Sequence, residues 1–314
     1  MSPDVRSTNA QSLTVCPDCG SAHLRSRGRI PDGHYFAGMR QETPLPGGRL
    51  MSCMDCDLCF RDTQLTKEMY DRLYSLGKDD NWSQPPSVRP DWALASRWIA
   101  ERQSCQRILD VGCFDGRFLW DTDTAEQRFG IEVHAGAARA AAKRGITIVG
   151  SDASCLCDGH LKFDTIVAFD IIEHLASPRR LLAQLVESLN SGGSLIVGTG
   201  NSSAPSFRFM GGAYWYCGTA EHISFINPSW CRRLGEKLGI KVRRLALLSH
   251  YRASPWQLVH QPIVNAAYRF APRSFCAVRH GVKRLVRGKN CGPFHQQPPV
   301  WSSAKDHMLV EFTR

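Results

Sequence analysis

The chain has 314 residues, 43% of them hydrophobic, which is enough for one large domain and a small second one. No apolar run approaches the ~18 residues of a membrane-spanning helix. The first residues lack the basic-then-apolar pattern that is expected of a secretory signal. An odd count of 13 cysteines argues for a reducing, cytoplasmic location. The formal charge of +10 comes from one stretch, residues 237–304, which holds 12 Lys and Arg and no Asp or Glu.

The first 62 residues contain a cysteine pattern typical of a zinc ribbon. Residues 1–14 are polar and we expect them to be disordered. In residues 15–62 two C-x-x-C pairs, separated by 33 residues, predict a structural zinc site; its ligands are Cys16, Cys19, Cys53 and Cys56. A fold of about 50 residues has too little core to stand alone, so a metal is expected there. Cys59 is spare and is predicted not to be a ligand.

From residue 106 the pattern alternates between strands and helices. Residues 63–105 precede it as a predicted helical lid or linker with a Pro-rich break at 85–90. The predicted strands are RILDVG, RFGIEV, ITIVG, FDTIVAFD and GSLIVGT, and helical stretches such as SPRRLLAQLVESL lie between them. Such alternation predicts an α/β fold over residues 106–314, with a doubly wound, mostly parallel sheet.

The stretch ILDVGCFDGRFL, residues 108–119, places a glycine turn between a strand and a helix. Gly112 and Gly116 would let the backbone approach a ligand at the carboxyl end of the first strand. Glu132 follows the second strand at the spacing of an acid that binds a ribose diol. Asp152 follows the third strand, where its carboxylate could accept from an adenine amino group. Together these features predict a nucleoside-containing cofactor.

Residues 107–200 resemble a class I S-adenosylmethionine (SAM)-dependent methyltransferase, since LDVGCFDGRFL, GIEVHAGAARAAAKRG, SDA, FDTIVAFDIIEHLASPRRLLAQL and LNSGGSLIVGTGN follow the family's order and spacing. Dehydrogenases carry G-x-G-x-x-G, which is missing here. Phe114 replaces the middle glycine, as in ribbon-bearing sugar methyltransferases with turns similar to G-S-N-D-G-T-F-L. The resemblance implies a seven-stranded Rossmann-like sheet and SAM as cofactor. It implies SAM contacts from Asp110, Gly112, Cys113, Phe114, Asp115, Gly116, Glu132, Asp152 and Asp170.

Two histidines are predicted to lie at the acceptor side of this site. A histidine suits the removal of a proton from an attacking hydroxyl or carbon acid. His222, in GTAEHISF, is the preferred base, with Glu221 orienting its ring; His174, in FDIIEHL, either shares the catalytic role or begins a helix. Residues 219–222 resemble the Y-H-E-H stretch of sugar C-methyltransferases, with Glu221 and His222 preserved. The stretch GTAEH, residues 218–222, resembles the G-T-H-D-W of ubiquinone-type O-methyltransferases, which slightly favours oxygen as the acceptor. Tyr214 and Tyr216 are the reserve candidates for the base.

Residues 252–304 form a basic insertion before the last strand. Phe275, Val278, Val282 and Leu285 recur at helical spacing, with Arg279, Lys283, Arg284 and Arg287 off that stripe. One interpretation is a solvated basic face over a packed apolar stripe. The other is a cationic surface for an anionic substrate, or for the inner face of a membrane through residues 252–290.

The resemblance implies methylation of a hydroxyl, or a carbon, on a sugar or glycan intermediate, on a lipid-linked sugar, or on a related small molecule. A ribosomal-RNA methyltransferase with a zinc ribbon is the alternative enzyme. The balanced charge of the ribbon disfavours nucleic acid as a partner, because RNA-binding modules interleave basic and aromatic residues. A non-catalytic scaffold is the third candidate, and it has no need of the acids and glycines that the resemblance assigns to SAM binding.

Overall fold

The computed structural model describes residues 10–37, 39–75, 89–102, 106–122, 125–249, 253–287 and 297–314. The strands of the N-terminal part are β1 Ala10–Ser12, β2 Leu24–Arg29, β3 Gly33–Phe36, β4 Met39–Leu45, β5 Arg49–Cys53, β6 Cys59–Arg61 and β7 Thr63–Leu65. Those that follow are β8 Arg107–Val111, β9 Gln127–Ile131, β10 Thr147–Gly150, β11 Phe163–Phe169, β12 Leu189–Gly200, β13 Ser224–Phe225, β14 Lys241–Leu248 and β15 His307–Thr313. The helices are α1 Lys67–Ser75, α2 Pro90–Ala100, α3 Arg117–Trp120, α4 Ala135–Lys143, α5 Pro178–Glu187, α6 Pro205–Met210, α7 Pro228–Leu238, α8 Pro255–Phe270 and α9 Pro272–Arg287.

The centre of the molecule is a seven-stranded sheet in the order β10-β9-β8-β11-β12-β15-β14. Strands β8 to β12 pair in parallel, and β15 runs antiparallel to both of its neighbours. The five predicted strands all appear in it. The predicted doubly wound, mostly parallel sheet is therefore confirmed.

Helices cover both faces of this sheet because successive strand residues point in opposite directions. Leu109 and Ile166 pack in one core cluster with helices α5 and α7, whereas Ile108 and Val167 pack in a second cluster with helices α2, α3 and α4. Strands buried on both faces explain why β8 and β11 read as nearly continuous apolar runs. This arrangement brings the carboxyl ends of β8, β9 and β11 to one edge, where the predicted cofactor residues lie.

The cysteine-rich segment is built into this domain. Strands β2, β5 and β6 form an antiparallel sheet whose fourth strand, β13, comes from the chain after the central sheet's fifth strand. Asp18 accepts hydrogen bonds from the indole Nε1 of Trp230 at 3.1 Å and from the amide of Arg179 at 2.9 Å. Burial of this carboxylate is compensated by those donors, so the contact fixes the segment against α5 and α7.

The structure describes parts of the two segments that flank the cysteine-rich region, residues 1–14 and 63–105. The disordered N-terminus was placed at residues 1–14, but Ala10–Ser12 pairs antiparallel with β7, because that strand leaves an edge for it. Residues 1–9 lie outside the described part of the chain. The lid or linker at 63–105 contains β7, α1 and α2, whereas residues 76–88 and 103–105 lie outside the description.

The insertion forms the two helices α8 and α9 between β14 and β15. The apolar stripe predicted to be packed is only partly so: Phe275 packs beside Tyr268, with ring centroids 5.7 Å apart, but Val278 and Val282 are exposed. The reason is that the side of α9 that packs is the one with Phe275, Cys276, Arg279 and His280, which are partly buried, and Val278 and Val282 lie off that side. Leu285, Lys283, Arg284 and Arg287 have side chains outside the described set. No described helix is long and apolar enough to span a membrane.

Candidate active site

The turn after β8 folds back on the neighbouring strand β9. The amides of Gly112 and Cys113 both donate to the carbonyl oxygen of Ile131, at 2.8 and 3.1 Å, and the amide of Phe114 donates to Glu132 Oε2 at 2.8 Å. Phe114 has φ +48°, in the left-handed region. These amides are therefore used inside the protein rather than pointed at a phosphate, which distinguishes the turn from a dinucleotide cradle.

The two glycines of the turn are required for packing as well as for their φ of +77°. An ideal Cβ on Gly112 would lie 2.3 Å from Cδ1 of Ile171, and one on Gly116 would lie 2.1 Å from Cδ1 of Ile146. The approach of a ligand to the backbone of this turn stays a prediction, and the space that a side chain would take is already filled. The chain's own isoleucines occupy that space.

Two carboxylates lie close together at the ends of β8 and β9. Burial, reinforced by the charge of Glu132, raises the pKa of Asp110 to about 8. Glu132 is held by two amides, Phe114 N on Oε2 and His134 N on Oε1 at 2.7 Å. Glu132 is accordingly fixed at the position predicted for a ribose-binding acid, and Asp110 is a buried acid to which a cationic ligand would add a stabilising charge.

A third acid, Asp170, follows β11 and pairs with the N-terminal end of α2. Arg89 Nη1 lies 2.6 Å from Asp170 Oδ2, and its Nη2 lies 2.7 Å from Asp91 Oδ2. Burial acts to raise the pKa of Asp91, but hydrogen bonds from His307 and Arg89 outweigh it and hold that pKa below its usual range. The network anchors α2 at the cofactor edge of the sheet.

Three of the residues that the resemblance assigns to SAM also contact other residues of the chain: Cys113, Asp115 and Asp152. Asp152 is exposed and caps a short 3-10 helix through Oδ1, which accepts from Ser154 N at 2.8 Å. The Asp115 carboxylate lies 3.1 Å from Arg117 and 2.9 Å from Arg144. Cys113 is buried, and its Sγ fills the space beside Gly130. The side chains of Asp115 and Cys113 therefore shape the turn, whereas Asp152 keeps an exposed carboxylate.

His174 and His222 come together although they are far apart in sequence. Their ring centroids are 5.1 Å apart with a near-perpendicular angle of 79°. His222 Nδ1 lies 3.0 Å from the carbonyl oxygen of Tyr216, so Nδ1 carries the proton and Nε2 the lone pair. His174 Nδ1 lies 3.3 Å from the hydroxyl of Tyr74, on helix α1. The pair therefore joins the two loops that follow β11 and β12 to the predicted lid segment.

Glu221 does not orient His222, contrary to expectation. Its Oε1 accepts from the amide of Ala37 at 3.0 Å, and burial raises its pKa. The imidazole of His222 is hydrogen-bonded to the Tyr216 carbonyl oxygen instead. Residues 219–222 form a turn, closed by the His222 amide donating to the Thr219 carbonyl oxygen at 3.1 Å. From this turn Glu221 lies toward the β3–β4 hairpin, whereas His222 faces His174.

The four predicted zinc ligands lie in one cluster, with all their sulfur atoms within 4.8 Å of one another. Cys16 Sγ is 3.7 Å from Cys56 Sγ, and Cys19 Sγ is 3.5 Å from Cys53 Sγ. These distances match the edge of about 3.8 Å in a tetrahedral Zn–S₄ site with 2.3 Å bonds, and they are far longer than a disulfide.

The two cysteine turns have the same backbone form. In each, the residue after the second cysteine is left-handed: Gly20 has φ +76° and Asp57 has φ +66°. In both turns the amide two residues beyond the second cysteine bonds to its thiol, Ser21 to Cys19 and Leu58 to Cys56. Cys59 lies in β6 and outside the cluster.

A cleft of about 510 Å³ opens beside the cysteine cluster, against α7. Its walls include Arg179, Trp230 and Arg233. None of the residues predicted for SAM or for catalysis lines it. The cleft is therefore separate from the edge of the sheet where the acids and the histidines lie.

A family model described as a methyltransferase domain matches residues 85–245, which is half of the chain. The chain belongs to the class I SAM-dependent methyltransferases. Ubiquinone biosynthesis O-methyltransferases from two strains of Cereibacter sphaeroides are each 30% identical to it over 151 residues. The match covers 43% of this chain and 60% of each relative's length.

Two of the solved structures whose folds are similar to that of this chain are methyltransferases from Synechocystis and Mesorhizobium loti. Magnesium protoporphyrin IX methyltransferase from Synechocystis, with bound SAH, has a TM-score of 0.44 and 12% identity, covering 79% of this chain and 95% of that one. A SAM-dependent methyltransferase from Mesorhizobium loti has a TM-score of 0.43 and 16% identity, covering 70% of this chain and 96% of that one.

Two buried residues of this methyltransferase escaped the sequence analysis. Glu173 accepts hydrogen bonds from the hydroxyl groups of Tyr216 and Thr199, the latter at 2.7 Å. Arg61 donates to five backbone carbonyls, those of Pro46, Gly47, Cys217, Thr219 and His222. The one available signal for Glu173 was its place beside His174. No signal in the sequence pointed to Arg61, because its acceptors lie on distant segments.

The tyrosines named as reserve bases act as hydrogen-bond donors. Burial, with the charge of Glu173 next, raises the pKa of Tyr216 well above its ordinary value. Tyr214 is buried too, and its hydroxyl donates to Asp306 Oδ2 at 2.6 Å. A phenol whose pKa is raised in this way gives up its proton less readily, so the loop tyrosines support the site and His222 and His174 remain the candidate bases.

Proposed function

We propose that this methyltransferase transfers the methyl group of SAM to a hydroxyl of a sugar, a glycan intermediate or a related small molecule. The relatives are named O-methyltransferases, which supports oxygen as the acceptor atom. The cysteine ribbon and the likeness of residues 219–222 to sugar methyltransferases support a sugar. The observation that carries the proposal is the bond from His222 Nδ1 to the Tyr216 carbonyl, because it leaves Nε2 as the basic atom.

The cofactor edge fits the charges of SAM. Asp110 is buried with a raised pKa, so a ligand that carries a sulfonium and an ammonium group would stabilise its ionised form. Glu132 is held in place to accept from the ribose diol. Arg89 and Asp170 present opposite charges 2.6 Å apart, which suit the carboxylate and ammonium groups of the methionine moiety. SAM would supply an activated methyl group.

The proposed chemistry needs a base and a dry, ordered site. When the acceptor hydroxyl is methylated, its proton would pass to His222 Nε2, which would become an imidazolium and later release the proton to water. The Tyr216 carbonyl holds the ring during that transfer, since Nδ1–H stays bonded to it. The ring centroid of His174 is 5.1 Å from that of His222, which supports a contact of His174 with the same acceptor.

We also propose that the cysteine cluster holds one structural zinc ion. The sulfur–sulfur distances and the paired left-handed turns support tetrahedral coordination. Such a site would hold the ribbon sheet, and with it Asp18, against helices α5 and α7. Thiolate ligands persist where thiols stay reduced, which supports a cytoplasmic location.

The test separates cofactor binding from chemistry. Titration calorimetry of the purified protein should detect SAM binding in both the wild type and His222→Gln. With methyl-labelled SAM and a panel of nucleotide sugars and phenols, His222→Gln should turn over about 10²–10⁴-fold more slowly, the range of a lost general base. Glutamine can still donate to the Tyr216 carbonyl, so it preserves the fold while removing the base.

His174→Gln is the matched control, because it removes a ring from the same pair and retains a polar side chain. A larger loss of turnover in His174→Gln than in His222→Gln would assign the base to His174. Binding of NAD(H) without binding of SAM would contradict the proposed cofactor.

A further inference from the structure

Helix α8 turns its apolar side chains outward. Trp256, Val259, Ile263 and Phe270 are spaced three, four and seven residues apart, so they share one face of the helix. Each is exposed, from 59% for Val259 to 77% for Phe270. We call these four residues the α8 face. A helix packed on a domain normally buries such a face.

The opposite side of α8 is polar and buried. Gln261, Asn265 and Tyr268 lie there, and the first two bond to the segment before β15. Gln261 Nε2 donates to Ser302 Oγ at 3.3 Å, and the amide of Ser303 donates to Gln261 Oε1 at 3.0 Å. Polar contacts therefore hold the helix in this orientation, and its apolar face is left outside.

The apolar surface extends beyond α8 and is bordered by cations. Phe209, at the end of α6, is 42% exposed and its ring centroid is 6.0 Å from that of Phe270. The exposed side chains of Arg208, Arg269 and Arg273 are next to these aromatic residues in the chain. The sequence from 237 to 304 contains no Asp or Glu. Outward aromatic and aliphatic groups beside arginines are the combination that binds anionic membrane surfaces.

We propose that the α8 face, with Phe209 and the neighbouring arginines, docks on an anionic lipid bilayer. Charge decides between this occupant and a second copy of the chain. Self-association through the same face would bring like-charged arginines together, whereas anionic headgroups attract them while the acyl region accepts Trp256, Ile263 and Phe270. The inference is independent of the proposed methyl transfer.

The test is co-sedimentation of the full chain with vesicles of phosphatidylcholine, alone or mixed with phosphatidylglycerol. The wild type should bind the mixed vesicles and not the neutral ones, and added salt should weaken binding. Ile263→Gln should reduce the partition coefficient roughly tenfold, because an isoleucine loses its burial in the bilayer. Arg269→Glu with Arg273→Glu should remove the preference for anionic vesicles.

Leu258→Gln is the matched control. Leu258 is on the same helix and similarly exposed, at 55%, but lies off the α8 face. Its substitution should change binding less than about twofold, if only the α8 face enters the lipid. Thermal melting by circular dichroism checks that each variant is folded. The proposal is overturned if the wild type ignores both vesicle types, if Ile263→Gln and Leu258→Gln lose binding equally, or if light scattering shows a dimer that Ile263→Gln dissolves without any vesicle binding.

Discussion

Arg61 joins the ribbon hairpin to the loop that carries His222, and replacing it should destabilise the whole domain. Arg61 is only 3% exposed, and its guanidinium donors reach five carbonyl oxygens on two segments. Arg61→Met would fill a similar volume and leave those five oxygens without their donor. Breaking a buried charged network costs about 3–5 kcal/mol, so we expect the free energy of unfolding to fall by about 4 kcal/mol, a large share of the 5–15 kcal/mol typical of a domain.

Urea unfolding followed by circular dichroism measures this change. Arg61→Lys should fall between the wild type and Arg61→Met, because an ammonium group has three donors for five acceptors. Arg49→Met is the matched control: it removes an exposed arginine from β5, and a surface change of this kind should stay within about 0.5 kcal/mol. If Arg61→Met lost no more stability than Arg49→Met, the carbonyl network would have no part in holding the two segments together.

Three further outcomes follow from the site. Elemental analysis should find one zinc per chain, lost in Cys16→Ser and retained in Cys59→Ser; a metal-free, folded wild type would refute the site. The pKa of Asp110 is raised to about 8 in the folded protein, so between about pH 4 and the folded pKa the folded state binds more protons than the unfolded state. Stability without SAM should therefore fall as pH rises toward 8, and Asp110→Asn should remove that slope in thermal melts; an unchanged slope would contradict this assignment. Glu132→Ala should weaken SAM binding by roughly 1.5–3 kcal/mol, the cost of a lost charged hydrogen bond, and calorimetry showing full affinity would exclude the ribose contact.

The sequence determined the features whose information is local. Continuous apolar runs such as RILDV and TIVAF specify strands buried on both faces, so the parallel sheet was predictable from residues 107–200. Spacing within two C-x-x-C pairs identified the four clustered cysteines, because each pair forms one tight turn. The glycine turn and Glu132 followed from the order of strand, turn, helix and strand.

Only the tertiary structure decided the contacts between distant segments. Arg61 reaches Thr219, 158 positions away, and Glu221 reaches the amide of Ala37, 184 positions away. A lone Arg in CFR or Glu in AEH has no periodicity that identifies such a partner. The sequence therefore pointed to no partner for Arg61 and to His222 in place of Ala37 for Glu221. The orientation of α8 has the same origin. Its apolar and polar stripes are visible in the sequence, but which stripe faces the protein depends on where Gln261 finds Ser302, and that contact exists only once the chain has folded.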